Sequence, residues 1–75
     1  MNDININQLL GEIRDYADEF KGEIEQGRES PQLAARSIRN YGYGMAKASE
    51  ILVNARLAVT IIFETDRLAD QVDDS

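Results

Sequence analysis

Acidic side chains are the most numerous groups in this chain that could perform chemistry. The 75 residues include 14 Asp or Glu, no His and no Cys. The pairs Glu19/Glu23 and Asp66/Asp70 have helical i,i+4 spacing, so each could bind a divalent cation or act as acid and base. Histidine, the commonest general base and metal ligand, is absent from the sequence, and no metal-binding or catalytic motif accompanies the carboxylates. We therefore expect no catalytic residue, no metal site, no cofactor and no enzymatic activity.

A stripe of cationic and aromatic side chains is the second chemically suggestive pattern. On a helix these residues fall within about 80° of one another; they are Arg36, Arg39, Tyr43 and Lys47. The cations could hold a phosphate while the ring stacks on a base, which makes the stripe a candidate site for an anionic, nucleotide-type ligand. In the alternative interpretation, either these residues are ordinary i,i+4 neighbours on the helix surface, or the cations pair with acids of another helix at Glu12, Asp15, Glu19 or Glu23.

Charge is distributed in three blocks along the chain. Residues 1–30 carry a net charge of −5, residues 31–57 carry +3 and residues 58–75 carry −4. The blocks indicate complementary faces of neighbouring helices, within one chain or between chains. The total of −6 argues against direct binding to the DNA backbone, because neutralising phosphates requires a basic surface.

The first element that would position these groups is an amphipathic helix predicted over residues 5–26. Asn5 is suited to cap its first turn, and Ile4 is placed to pack against Leu9. Gly27 supplies a left-handed stop at the other end. Ser30 then starts a second helix, with Pro31 at its first position, where a missing N–H has no consequence.

The second helix is predicted to run over residues 31–72 as a single long element. One apolar heptad keeps its phase throughout this range, at Ala34, Ile38, Tyr41, Met45, Ala48, Leu52, Ala55, Val59, Ile62 and Ala69. Gly42 and Gly44 could kink or break the helix, which would instead produce three helices at 5–26, 31–41 and 45–72. A glycine off the heptad seam could also admit a neighbouring backbone.

These elements predict an all-α helical hairpin that assembles, as a coiled coil, into an oligomeric bundle. The chain is one domain, residues 1–75, with a frayed tail at 73–75. In a hairpin, everything after residue 52 lacks an intrachain partner, yet apolar residues there form stripes on both sides of the helix. We expect a homo-oligomer, a dimer or larger, whose interface is built from Leu52, Val53, Leu57, Val59, Ile61 and Ile62.

Targeting signals are not evident in the sequence. The first residues show no basic and apolar leader pattern, and the longest apolar stretch, residues 55–63, is far shorter than the roughly 20 residues of a membrane helix. We therefore expect a cytoplasmic protein without a membrane partner.

Two resemblances extend these expectations. A short helix, a turn at Ser30-Pro31-Gln32-Leu33 and a longer helix resemble the helical hairpins of type III secretion needle subunits and their small chaperones. In size and acidic composition, the chain also resembles phage-encoded inhibitors that bind or sequester components of host defence. Neither resemblance implies functional residues at particular positions.

Three functions consequently remain open. The first is a non-enzymatic, homo-oligomeric interaction protein whose acidic surface binds another protein and inhibits or adapts it. The second is a bundle that sequesters a nucleotide-type ligand on the cationic stripe. The third is a needle-type or chaperone subunit of a larger helical assembly.

Overall fold

Three α-helices account for almost all of the described chain. The computed structural model describes residues 5–74. Helix α1 spans Ile6–Glu25, α2 spans Pro31–Leu52 and α3 spans Ala55–Asp73. No strand occurs within residues 5–74, so the prediction of an all-α protein is confirmed.

The ends of α1 and the start of α2 follow the predicted signals. Asn5 Oδ1 accepts hydrogen bonds from the backbone N–H groups of residues 7 and 8, at 3.0 and 3.4 Å. Gly27 has a φ of 73°, the left-handed conformation that ends a helix. Ser30 Oγ accepts from the backbone N–H of Leu33 at 3.2 Å, and Pro31 is the first residue of α2. The predicted contact of Ile4 lies outside the described residues.

The prediction of one long helix over residues 31–72 is wrong, because the chain breaks at Val53 and Asn54. Asn54 is fully extended, with φ −168° and ψ 166°, and its Oδ1 accepts from the backbone N–H of Leu57 at 2.8 Å. The amide side chain thus caps a new helix, which offsets the backbone hydrogen bonds lost at the break. The predicted kink or break at Gly42-Gly44 is also wrong, since α2 passes through both glycines.

Helix α3 folds back along α2, and α1 packs against this pair. Gly42 of α2 faces Thr65 of α3 so closely that a Cβ added at Gly42 would lie 2.7 Å from the Thr65 Cβ. Tyr16 of α1 stacks on Tyr41 of α2, with ring centroids 4.5 Å apart. The expectation that residues after 52 lack an intrachain partner is therefore wrong. A helical hairpin is present, but it is formed by α2 and α3, and not by α1 and one long helix.

The core lies where the three helices meet, and it follows the predicted heptad seam only in part. Ala34, Ile38 and Ala69 of the seam are buried. Gly42, Ala46 and Ser49 of α2 are buried, whereas Leu52 and Val59 of the seam are exposed. Because the chain folds back at residues 53 and 54, Ile61 of α3 is buried and Leu57 packs against the core. The buried apolar side chains are Ile13, Ala17, Ala34, Ala35, Ile38, Ala46, Ala58, Ile61, Leu68, Ala69 and Val72.

Polar groups within the packed region are satisfied. Thr65 is fully buried, and its hydroxyl donates to the backbone carbonyl of Ile61 at 2.7 Å. Glu64 is 9% exposed and accepts hydrogen bonds at 2.5 Å from Arg14 of α1 and Arg67 of α3. A single carboxylate thereby links α1 to α3. The whole body measures 44 × 17 × 14 Å.

Candidate functional site

The predicted cationic stripe lines a groove between α2 and α3. Arg36, Arg39 and Tyr43 surround a surface groove of about 350 Å³, whose other lining residues are Gln32, Ala35, Asn40 and Asp73. Lys47, the fourth residue of the stripe, is exposed on α2 and does not line this groove. The structure therefore brings together three of the four predicted ligand-binding residues.

Arg39, one of the cations that line the groove, already pairs with carboxylates of α3 that the ligand hypothesis did not include. Arg39 Nη2 donates to Asp70 Oδ1 at 2.7 Å, and its Nε lies 3.9 Å from Asp66 Oδ1. The Tyr43 hydroxyl donates a hydrogen bond to the same Asp66 oxygen. The cation of the basic block thus pairs with the second acidic block, on α3, and not with the α1 acids named in the alternative interpretation.

Electrostatics keep Tyr43 in its protonated form. The hydrogen bond to Asp66, together with burial, raises the pKa of the Tyr43 phenol, and nearby Arg39 opposes this effect only in part. Within residues 5–74, Arg36 has no ion pair or side-chain hydrogen bond. An anionic ligand in the groove would therefore meet one uncommitted guanidinium, and it would have to displace carboxylates to reach the other.

A second candidate region consists of large apolar side chains that the fold leaves in solvent. In the segment 51–63 the exposed apolar set comprises Ile51, Leu52, Val53, Val59, Ile62 and Phe63. Three of these residues are more than two-thirds exposed: Leu52 at 79%, Ile51 at 73% and Phe63 at 71%. Large apolar side chains that a small domain leaves in solvent are candidates for an interaction surface.

The predicted oligomer interface overlaps with this exposed apolar set but differs from it at two positions. Leu52, Val53, Val59 and Ile62 are exposed, while Leu57 packs against the core and Ile61 is fully buried. The second stripe, Val53, Leu57 and Ile61, was predicted to need another chain, but α3 buries most of it inside the same chain. Ile51 and Phe63 were missed, because neither belongs to the heptad or to the second stripe.

The outer face of α1 is the most acidic part of the surface. Most of its carboxylates are exposed, at Glu12, Asp15, Asp18, Glu19 and Glu25. Lys21 lies 3.6 Å from Asp18, and Arg14 is committed to Glu64. Glu23 pairs at 2.7 Å with Arg28, whose hydrogen bond lowers the pKa of Glu23. The remaining acids leave a face that favours a basic partner.

The carboxylate pairs suggested by the sequence have separate roles in the structure. Asp66 and Asp70 face Arg39, and Glu19 and Glu23 line a small groove beside Tyr16 and Phe20. Among the described residues, no cluster of three or more acidic side chains has a geometry that could hold a metal ion. No described helix combines the length and apolar character needed to cross a bilayer.

Comparisons with known proteins add no functional assignment. No family model, curated protein or solved structure matches the chain. The exposed apolar and charged surfaces of the chain are therefore the features from which its function is inferred.

Proposed function

We propose that the protein is a non-enzymatic interaction protein that self-associates and binds another protein, which it inhibits or adapts. The observation that carries this proposal is the exposed apolar set in a body whose core is otherwise well buried. An isolated small domain rarely leaves six large apolar side chains in solvent within one short segment. Covering them with protein removes that apolar area from water and stabilises the assembly.

The charge of α1 indicates the chemistry of the second partner. The exposed carboxylates of the acidic face belong to α1, whereas the exposed apolar residues Val59, Ile62 and Phe63 belong to α3. Self-association through the apolar residues therefore leaves the acidic face free for a basic protein surface. A binding protein without catalytic groups acts by occupying its partner's surface, and electrostatic attraction speeds the encounter.

Capture from the lysate of the native host tests the second interaction. We expect the double variant Glu12→Lys/Glu19→Lys to lose proteins that the wild-type chain retains at low salt. The control Asp73→Lys/Asp74→Lys changes the net charge equally at exposed positions near the end of α3, and it should retain them. If the same proteins bind the wild-type chain and the α1 variant equally well, the acidic face is not the binding surface.

The groove beside Arg36 supports a second candidate function, which is sequestration of an anionic ligand. Its specific support is the convergence of Arg36, Arg39 and Tyr43 on one groove. Titration calorimetry with ATP should then detect binding that Arg36→Ala abolishes and the control Lys47→Ala preserves. Unchanged helicity by circular dichroism would exclude unfolding as the cause. Absence of heat with the wild-type chain would eliminate this candidate.

A further inference from the structure

One row of residues on the outside of α3 is complementary to itself. The row consists of Arg56, Val59, Phe63 and Asp66, which are separated by three, four and three residues. This spacing places them along one side of an α-helix, with the apolar pair in the middle and opposite charges at the ends. Phe63 is 71% exposed, and Val59 is about half exposed.

From this row we infer that two copies of the chain pair through antiparallel α3 helices, with residue 61 of one copy opposite residue 61 of the other. In this register Val59 packs against the partner's Phe63, and Arg56 faces the partner's Asp66. Two-fold symmetry repeats each contact, so four complementary contacts form from four residues. The inference deepens the proposed self-association, on which it rests, by naming the contacting face and its register.

The charged side chains at the two ends of the row are available to form ion pairs with a second chain. Arg56 is exposed and forms no ion pair or side-chain hydrogen bond within residues 5–74. The Oδ1 atom of Asp66 accepts the hydrogen bond from Tyr43 and lies near Arg39. Its Oδ2 atom forms no hydrogen bond or ion pair with the described residues. The Asp66 side chain is 43% exposed, so a guanidinium from another chain can reach it.

A parallel arrangement of the same helices would be unfavourable. It would place Arg56 beside the partner's Arg56 and Asp66 beside the partner's Asp66. Like charges at each end would then oppose the apolar contact in the middle. Charge complementarity therefore selects the antiparallel pair, and it also favours a second copy of this chain over an unrelated apolar helix.

The short length of the row limits the affinity. Residues 56–66 extend about 15 Å along a helix at ~1.5 Å per residue, so the contact is smaller than that of most permanent dimers. We expect a monomer–dimer equilibrium in the micromolar range. Sedimentation equilibrium over a wide range of protein concentration measures it directly.

Charge reversal tests the register. Arg56→Glu creates two repulsive pairs in the dimer, which should weaken self-association by about tenfold. Asp66→Arg should have a similar effect. It also removes the hydrogen bond that the Tyr43 hydroxyl donates to Asp66, and Tyr43→Phe is the control for that loss. An equimolar mixture of the two charge variants should recover dimerisation, because the carboxylate introduced at position 56 of one chain then faces the guanidinium introduced at position 66 of the other. Failure of the mixture to dimerise better than either variant alone would overturn the proposed register.

Cysteine cross-linking is an independent test, and the absence of native Cys makes it clean. A mixture of the Val59→Cys and Phe63→Cys variants should form a mixed disulfide on oxidation in preference to either homodimer. A parallel pair would instead form the two homodimers. In that case the register is wrong while self-association stands. A chain that is monomeric at every concentration would overturn both, whereas loss of capture from lysate alone would affect only the acidic-face proposal.

Discussion

The contact between α2 and α3 is built differently from the contacts that attach α1 to this pair. Where α2 crosses α3, the packing relies on small side chains and on Gly42, so the two backbones approach closely. Helix α1 is held mainly by larger groups, through the Tyr16–Tyr41 stack and the bond from Arg14 to Glu64. The α2–α3 pair is also by far the more extensive contact.

This difference explains why the sequence predicted one contact better than the other. Large apolar residues with helical spacing are easily recognised, and those of α1, such as Leu9, Tyr16 and Phe20, pack against the core. Small residues have little hydrophobic signal, although they allow close packing and bury backbone efficiently. The α2–α3 crossing should consequently be sensitive to added volume, whereas the attachment of α1 should be sensitive to the loss of side-chain groups.

Adding one methyl group at the crossing should have the largest effect. A Cβ at residue 42 would overlap the buried side chain of Thr65, whereas nothing lies within 4 Å of a Cβ at residue 44. We expect Gly42→Ala to reduce the free energy of unfolding by about 3 kcal/mol. The control Gly44→Ala should increase it by about 0.5–1 kcal/mol. Urea denaturation measures both, and equal effects of the two substitutions would contradict the close crossing.

Neutralising Glu64 should loosen α1 while leaving the α2–α3 pair intact. The hydrogen bonds from Arg67 and Arg14 lower the pKa of this carboxyl despite its burial. Its stabilising effect is therefore present above the unfolded-state pKa of about 4.3 and is lost as the pH falls through the lower folded-state pKa. We expect Glu64→Gln to destabilise the protein by about 1–2 kcal/mol at pH 7.

Hydrogen exchange and pH together distinguish this effect from general unfolding. Amides of α1 should exchange faster in Glu64→Gln, while those at the centre of α2 stay protected. The difference in stability from the wild-type chain should shrink below about pH 4.3. A difference that persists unchanged at pH 3 would show that the charge of Glu64 is not its cause.

The cap at the start of α3 should contribute less. Asn54→Ala removes the acceptor for the backbone N–H of Leu57, and we expect a loss of about 1 kcal/mol in thermal or urea unfolding. Asn54→Asp keeps the acceptor and should be close to the wild-type chain. If Ala and Asp are equally tolerated, the break at residues 53 and 54 depends on packing alone.

The smallest effect should come from the groove that carries the cationic stripe. Arg39→Ala removes an exposed ion pair with Asp70, for which we expect a loss of about 0.5 kcal/mol. High salt should reduce the difference between this variant and the wild-type chain, because exposed charges are screened. The control Lys47→Ala, at an exposed position outside the groove, should have no measurable effect on unfolding.

Local signals predicted the fold as far as the start of α2. Asn5, Gly27 and Ser30 act through neighbouring backbone groups, so their effects can be read from adjacent residues. The break at Asn54 was not predicted, because no glycine or proline marks it and the apolar heptad continues across it. Asn is itself a preferred helix cap, which is the signal that could have located the break.

The candidate site was predicted in part for the same reason. Helical spacing alone brings Arg36, Arg39 and Tyr43 together, and it needs no knowledge of the fold. Their partners Asp66 and Asp70 lie across a tertiary contact that exists only because α3 folds back. The exposed positions of Ile51 and Phe63 depend on that same reversal.

An odd number of helices running up and down gives the molecule two unlike ends. The chain enters at Ile6, near Val53 and Leu57 around one shared groove, and it leaves after Asp73 at the far end of the 44 Å body. The start of α1 therefore lies beside the exposed link between α2 and α3. A fluorophore or affinity label joined after α3 stays away from that link, which makes it the better position for association measurements.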